Sequence, residues 1–179
     1  MRIIAGEFRS RRLKTLPGMP LRPTSDRLRE TLFNILGDSV RGVVFVDCYA
    51  GSGAVGLEAL SRGASHAIFL EQAHAALGIL RENIAALGVA SRARIIEGPA
   101  EKGLRRLGDP AIIFFDPPYA DASAYERTFR GLSGYEALVI AEHSSKLSLD
   151  PPGFKALRRL RQGDSSLSFF TIASKPLQT

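Results

Sequence analysis

The run Val43-Val44-Phe45-Val46-Asp47-Cys48-Tyr49-Ala50-Gly51-Ser52-Gly53-Ala54-Val55-Gly56-Leu57-Glu58 decides the architecture. Val43–Asp47 is short, apolar on both faces and closed by a glycine-rich turn, the pattern of a strand buried inside a parallel sheet. Glycine permits a tight strand-to-helix turn and lets a ligand approach the backbone closely. A helix is expected from about Gly53 to Arg62. Ala67–Leu70 then reads as a second strand, ending in the acid Glu71.

The alternation continues downstream. Helices are expected at about 74–87, 100–107 and 123–131, and strands at Ala93–Glu97, Ile112–Asp116 and Ala137–Glu142. Phe154–Arg161, a turn at Gly163-Asp164, and Ser166–Ala173 read as an antiparallel hairpin closing one sheet edge. The fold class is therefore α/β, a mainly parallel sheet with helices on both faces. Upstream, Arg2–Arg9 and Arg12–Leu16 read as a small β-hairpin around a basic turn. Pro17, Gly18, Pro20 and Pro23 break regular structure. Thr24 or Ser25 would cap a helix over Asp26–Leu36. This divides the chain into an extension, residues 1–20, and a main domain, residues 21–179.

Gly51, Gly53 and Gly56 satisfy the G-x-G-x-x-G fingerprint of dinucleotide sites. The match gains force from its place between strand and helix, with Glu71 available to ribose hydroxyls. NAD and S-adenosylmethionine both carry such a ribose. Asp47 favours the second, because a carboxylate before the glycines repels a pyrophosphate and suits an ammonium or sulfonium. The plain structural reading is a packing turn.

A second motif, Asp116-Pro117-Pro118-Tyr119, follows the apolar run Ile112-Ile113-Phe114-Phe115 and would sit at a strand's carboxyl end, where open α/β sheets bind ligands. The two prolines stiffen the turn and leave the Pro117 carbonyl free to point outward. Asp116 and that carbonyl are both acceptors and can take the two hydrogens of one NH2 group. Held so, the nitrogen favours a pyramidal form whose lone pair can attack a sulfonium methyl. Tyr119 offers a ring for a planar base to stack on, worth about 1–3 kcal/mol. The plain reading of the tetrapeptide alone is a stiff turn with a surface acid.

The net charge of +6 points to an anionic partner, nucleic acid above all. Residues 1–36 hold eight cations against three anions, a local charge of +5. A second basic run is Lys155, Arg158, Arg159 and Arg161. A solvated surface would account for any one arginine; the clustering favours phosphate contact. The single cysteine, Cys48, excludes an internal disulfide framework and fits a reducing cytoplasm. The histidines are scattered and no zinc spacing occurs, so no metal is expected. The apolar runs are too short to span a bilayer, and no secretory signal opens the chain.

With both motifs placed, the chain resembles the amino-methyltransferases that carry a (Asp/Asn/Ser)-Pro-Pro-(Tyr/Phe) motif, and more narrowly the RsmD family, which methylates a guanine N2 amine in 16S ribosomal RNA. The likeness runs from Arg2-Ile3-Ile4-Ala5-Gly6 through Arg22–Asn34, Asp47–Ala64, Asn83-Ile84 and Asp116–Tyr119 to Gly163-Asp164. Arg22–Asn34 discriminates, since the other motifs occur in many methyltransferases. The resemblance implies a Rossmann-like methyltransferase fold and S-adenosylmethionine as methyl donor. It implies that Asp47, Tyr49, Ala50, Gly51, Ser52, Gly53 and Gly56 hold the methionine part, Glu71 the ribose, and Gln72, Pro99 and Ala100 the adenine. Thr24 and Arg27, with Arg22, would approach the cofactor carboxylate or the substrate. Asp116, Pro117, Pro118 and Tyr119 would bind the target guanine. Arg9, Arg11, Arg12 and Arg22 would contact RNA. The implied partner is 16S rRNA within a small ribosomal subunit or its assembly intermediate, met in the cytoplasm by a monomer. Cys48 and Arg161–Asp164 depart from the family's usual residues.

Other readings are an NAD-dependent oxidoreductase, a methyltransferase of DNA amines or a glutamine amide, and a noncatalytic RNA-binding module. Removal of the N-terminal hairpin is expected to weaken RNA binding and spare the cofactor.

Overall fold

The computed structural model describes residues 1–16, 23–118 and 121–172. Its strands are β1 (Val44–Cys48), β2 (His66–Glu71), β3 (Ala93–Glu97), β4 (Ile112–Phe115), β5 (Leu138–Ser144), β6 (Phe154–Gln162) and β7 (Ser165–Ile172). Its helices are α1 (Pro23–Leu36), α2 (Ala54–Ser61), α3 (His74–Leu87), α4 (Ala100–Gly103) and α5 (Ala122–Leu132). One sheet runs in the order β3-β2-β1-β4-β5-β7-β6. Its first five strands are parallel, and β7 runs antiparallel between β5 and β6. The chain order reverses at β1, so the crevice above β1 and β4 is the topological switch point.

Strand alternation divides the core in two. Phe45, Phe69, Phe114, Ile140 and Phe169 pack with Leu28, Leu32, Leu57 and Leu80 from α1, α2 and α3. Val46, Cys48, Ile113, Phe115, Val139 and Phe170 face the other way, onto Leu104 and onto Tyr125 and Phe129 of α5. Burial pushes the Cys48 thiol well above its ordinary range, with Asp47 adding to the effect, so this cysteine packs as an inert apolar residue.

Helix α1 begins at Pro23, three residues before the expected start, with Thr24 and Ser25 inside its first turn. The fixed φ of proline suits a first helical position. The helix expected over 100–107 divides into α4 and a 3₁₀ turn, Leu104–Arg106.

The expected N-terminal hairpin is reduced to one antiparallel bridge between Arg2 and Arg12. The physical reason is competition from α2. The Ile4 and Ala5 amides donate to the Glu58 carboxylate at 2.8 and 3.1 Å. The Phe8 amide donates to Ser61 Oγ at 2.9 Å. Gly6, at φ +85°, lies so close to helix α2 that a Cβ would fall 1.8 Å from the Ser61 carbonyl oxygen. Ile3 and Leu13 are buried members of the core. The basic segment is thus woven into the packing of α2.

Candidate active site

A cleft of about 680 Å³ opens at the carboxyl ends of β1, β2, β3, β4 and β5. That volume lies within the range of small-molecule sites, roughly 300–1,000 Å³. From the first loop Asp47, Tyr49, Ala50, Gly51 and Ser52 line it. Beyond β2 come Glu71 and Gln72, and beyond β3 comes Ala100. Beyond β4 come Asp116, Pro117 and Pro118. Residues from five strand ends therefore meet in one space, as the two motifs require.

Asp47 is buried, and Gly56 N donates to its Oδ2 at 2.8 Å. Burial pushes its carboxyl up to about 8; the Gly56 hydrogen bond opposes this and neighbouring Glu71 adds to it. Glu71 accepts from three backbone amides: Gly51 at 2.7 Å on one oxygen, Gln72 at 2.8 Å and Ala73 at 2.7 Å on the other. It thereby ties the glycine turn to the start of α3 and holds a carboxylate fixed at the cleft wall.

The glycines divide their work. Gly51, at φ +56°, lines the cleft with open space where a Cβ would stand. Gly53 and Gly56 are not in the wall. A Cβ on Gly53 would lie 2.4 Å from Leu80 Cδ1, and one on Gly56 2.4 Å from Phe69 Cε1. These two let helix and strand pack closely, which is the packing reading of the fingerprint. Tyr49, at φ +64°, sends its hydroxyl to Thr128 Oγ1 on α5 at 2.8 Å.

At the second motif Asp116 is half-buried and Pro117 is buried. The Pro118 carbonyl accepts from Asp121 N at 2.9 Å, whereas the Pro117 carbonyl accepts no hydrogen bond among the described residues. Tyr119 and Arg22 lie outside the described residues, as does the side chain of Thr24. Pro99 precedes α4 and is not part of the wall. Arg27, expected near the cofactor, is exposed and away from the cleft. Helical geometry puts Leu28, Arg29 and Leu32 inward instead.

Arg29 is the residue that the sequence reading missed. It is 4% exposed and lines the cleft, donates to the Arg2 carbonyl at 2.6 Å, and faces Asp26 at 3.3 Å and Glu58 at 3.7 Å. Its signal was its place between the apolar positions Leu28 and Leu32. Asn83 is a second such residue. Fully buried, it donates to Ser52 O at 2.9 Å and Lys14 O at 3.0 Å, and accepts from Lys14 N at 2.8 Å. Through it the N-terminal segment and the glycine loop are joined, and Met1, Thr15 and Leu16 complete the cleft wall.

Arg9, Arg11 and Arg12 are exposed outside the cleft. Arg11 donates to the Ala86 carbonyl at 2.9 Å; Arg9 and Arg12 have no ion pair among the described residues. Among the described residues no helix is long and apolar enough to cross a membrane, and no group of side chains could hold a metal ion.

Comparison with known proteins then decides the family. The model described as Conserved hypothetical protein 95, that of the RsmD family, matches residues 1–171, a span that holds both motifs and the N-terminal segment. The chain belongs to this family. Ribosomal RNA small subunit methyltransferase D of Escherichia coli is 45% identical over 120 residues, which cover 66% of this chain and 60% of that enzyme. The Bacillus subtilis protein YlbH is 32% identical over 158 residues, 83% of this chain and 85% of its own length. The solved structure of the Escherichia coli protein yhhF superposes with a TM-score of 0.85 at 35% identity, covering 98% of this chain and 99% of that one. The resemblance drawn from Arg22–Asn34 and the two motifs is borne out, and the fold is the Rossmann-like fold of RsmD-family methyltransferases.

Proposed function

We propose that this chain transfers a methyl group from S-adenosylmethionine to the N2 amine of a guanine in 16S ribosomal RNA, acting as a cytoplasmic monomer on a small ribosomal subunit or its assembly intermediate. One observation carries the chemistry: Asp116 and Pro117 share a single cleft with Asp47, Gly51 and Glu71. The name of the Escherichia coli relative supports a ribosomal RNA substrate.

The cleft's donors and acceptors fit the methyl donor. Asp47 is a buried carboxylate for an ammonium, Glu71 a fixed acceptor for ribose hydroxyls, and Arg29 a buried guanidinium on the same wall for a carboxylate. Asp47, placed just before the glycine turn, disfavours the pyrophosphate of a dinucleotide. When bound, S-adenosylmethionine supplies a methyl group on a positively charged sulfur.

Asp116 and the Pro117 carbonyl take the two hydrogens of the target NH2 group. This holds the nitrogen pyramidal and frees its lone pair from the purine ring. Pro117 and Pro118, with fixed φ, keep both acceptors in place through the reaction. The N–C bond would form as the methyl's bond to sulfur breaks, leaving a neutral thioether; the methylated nitrogen becomes acidic, so its proton passes to Asp116 or to water without a strong base. Guanine N2 inside an RNA helix cannot reach a cleft, so the target is unpaired or turned out. Arg9, Arg11 and Arg12 contact phosphates beside it.

Incubation with labelled S-adenosylmethionine and unmethylated small ribosomal subunits should place the label on one guanine N2. Label elsewhere, or on DNA amines only, overturns the substrate. Asp116→Ala should lose most turnover, on the order of a hundredfold or more, with cofactor affinity nearly kept. Near-normal turnover in that variant would refute the role of Asp116.

A further inference from the structure

Glu142 lines the cleft near the carboxyl end of β5 and takes no part in the mechanism above. Strands β4 and β5 are parallel neighbours, with Phe115 opposite Ala141. The next residues along the two strands are Asp116 and Glu142, and both line the cleft. Leu167, the partner of Glu142 across β5 and β7, lines it too.

The main chain at this position is held firmly. The Tyr125 hydroxyl donates to the Glu142 carbonyl at 3.0 Å. Ala141 and His143 on either side are completely buried, and His143 Nε2 lies 2.8 Å from Ser168 Oγ. The half-buried Glu142 side chain is thus presented on a rigid strand end next to the acceptors that would hold the amine.

An ionised carboxylate only accepts hydrogen bonds. In guanine the ring atom beside the C2 amine is N1–H, a donor. In adenine the ring nitrogen beside the amine is an acceptor, and the same holds for cytosine. An acceptor placed next to Asp116 and the Pro117 carbonyl therefore matches guanine and repels the other two amino bases.

We propose that Glu142 is a specificity-determining residue that accepts the guanine N1–H while Asp116 and Pro117 hold N2. The inference rests on the methyltransferase reading above and deepens it, because it supplies a reason for guanine that the Asp-Pro-Pro-Tyr motif lacks.

The decisive base is 2-aminopurine, which keeps the C2 amine and has an acceptor at N1. Small subunits would be reconstituted with guanosine or 2-aminopurine at the modified position and treated with the wild-type enzyme, Glu142→Gln and Glu142→Asp. Melting temperature and S-adenosylmethionine affinity, both expected unchanged, report intact folding. Wild type should favour guanosine by on the order of ten- to a hundredfold in kcat/KM. Glu142→Gln should lose a similar factor on guanosine and narrow or invert the preference, since its amide donates to N1 and its oxygen accepts from the amine. Glu142→Asp keeps the charge and should keep the preference at a lower rate. An unchanged preference in Glu142→Gln overturns the inference while leaving the methyltransferase reading intact. Absence of N2 methylation by the wild type overturns both.

Discussion

Asp47 shows how one residue can serve the fold and the ligand on different terms. Burial holds its carboxyl at about 8, so in the free protein it is mostly protonated at neutral pH. Its folded value is raised above the ordinary 3.8, so its contribution to stability is fully present below about pH 4 and is lost as pH rises through 8. Binding an ammonium demands the carboxylate, so binding releases this proton. Cofactor affinity should therefore rise by up to about tenfold per unit toward pH 8 and fall again as the ligand's own α-ammonium, with an ordinary value of about 8, loses its proton. Calorimetry across this range checks the profile, and Asp47→Asn should weaken binding and flatten the acid limb. An acid limb of full slope in that variant would exclude Asp47 as its source. The role of Asp47 as a strand-end acid was legible in the chain; its shifted protonation was not, because burial depends on helices α1 and α2 folding over β1.

The N-terminal segment acquires its meaning only as an element. Its basic composition suggested a detachable extension. Its amides are instead satisfied by Glu58, Ser61 and Asn83, and its Ile3 and Leu13 fill the core. Truncating a buried Ile or Leu costs about 2–5 kcal/mol, and deletion would also remove two amide donors from the buried Glu58 carboxylate. Removing residues 1–16 should therefore abolish cofactor binding and lower the melting temperature sharply, contrary to the separation that composition suggests. Arg9→Ala with Arg12→Ala should leave both intact and weaken RNA binding alone. A truncated chain with wild-type melting and cofactor affinity would show that these contacts carry little stability. The same reasoning explains why Arg29 escaped notice: an arginine in an amphipathic helix reads as solvated, and only its contacts with Arg2, Asp26 and Glu58 show otherwise.

For the whole molecule, a charge of +6 with exposed arginines outside the cleft makes RNA affinity a salt-dependent quantity. The logarithm of the binding constant should fall linearly with the logarithm of salt concentration. The Arg9→Ala, Arg12→Ala double variant should reduce that slope by about one to two. An identical slope would move the phosphate contacts elsewhere, the exposed basic strand β6 being the next surface to test. By itself the sequence determined the parallel sheet, its strand-to-helix turns, the closing hairpin and the two motifs at strand ends. Those follow from local periodicity, glycine and proline, which act over a few residues. Tertiary structure alone decided which fingerprint glycines face the cleft and which yield to Leu80 and Phe69. It replaced Arg27 with Arg29, put Asn83 between the N-terminal segment and the glycine loop, and set Glu142 beside Asp116. Each of those depends on contacts between residues distant in the chain, and helix facing and strand register, which create them, exist only once the elements have packed.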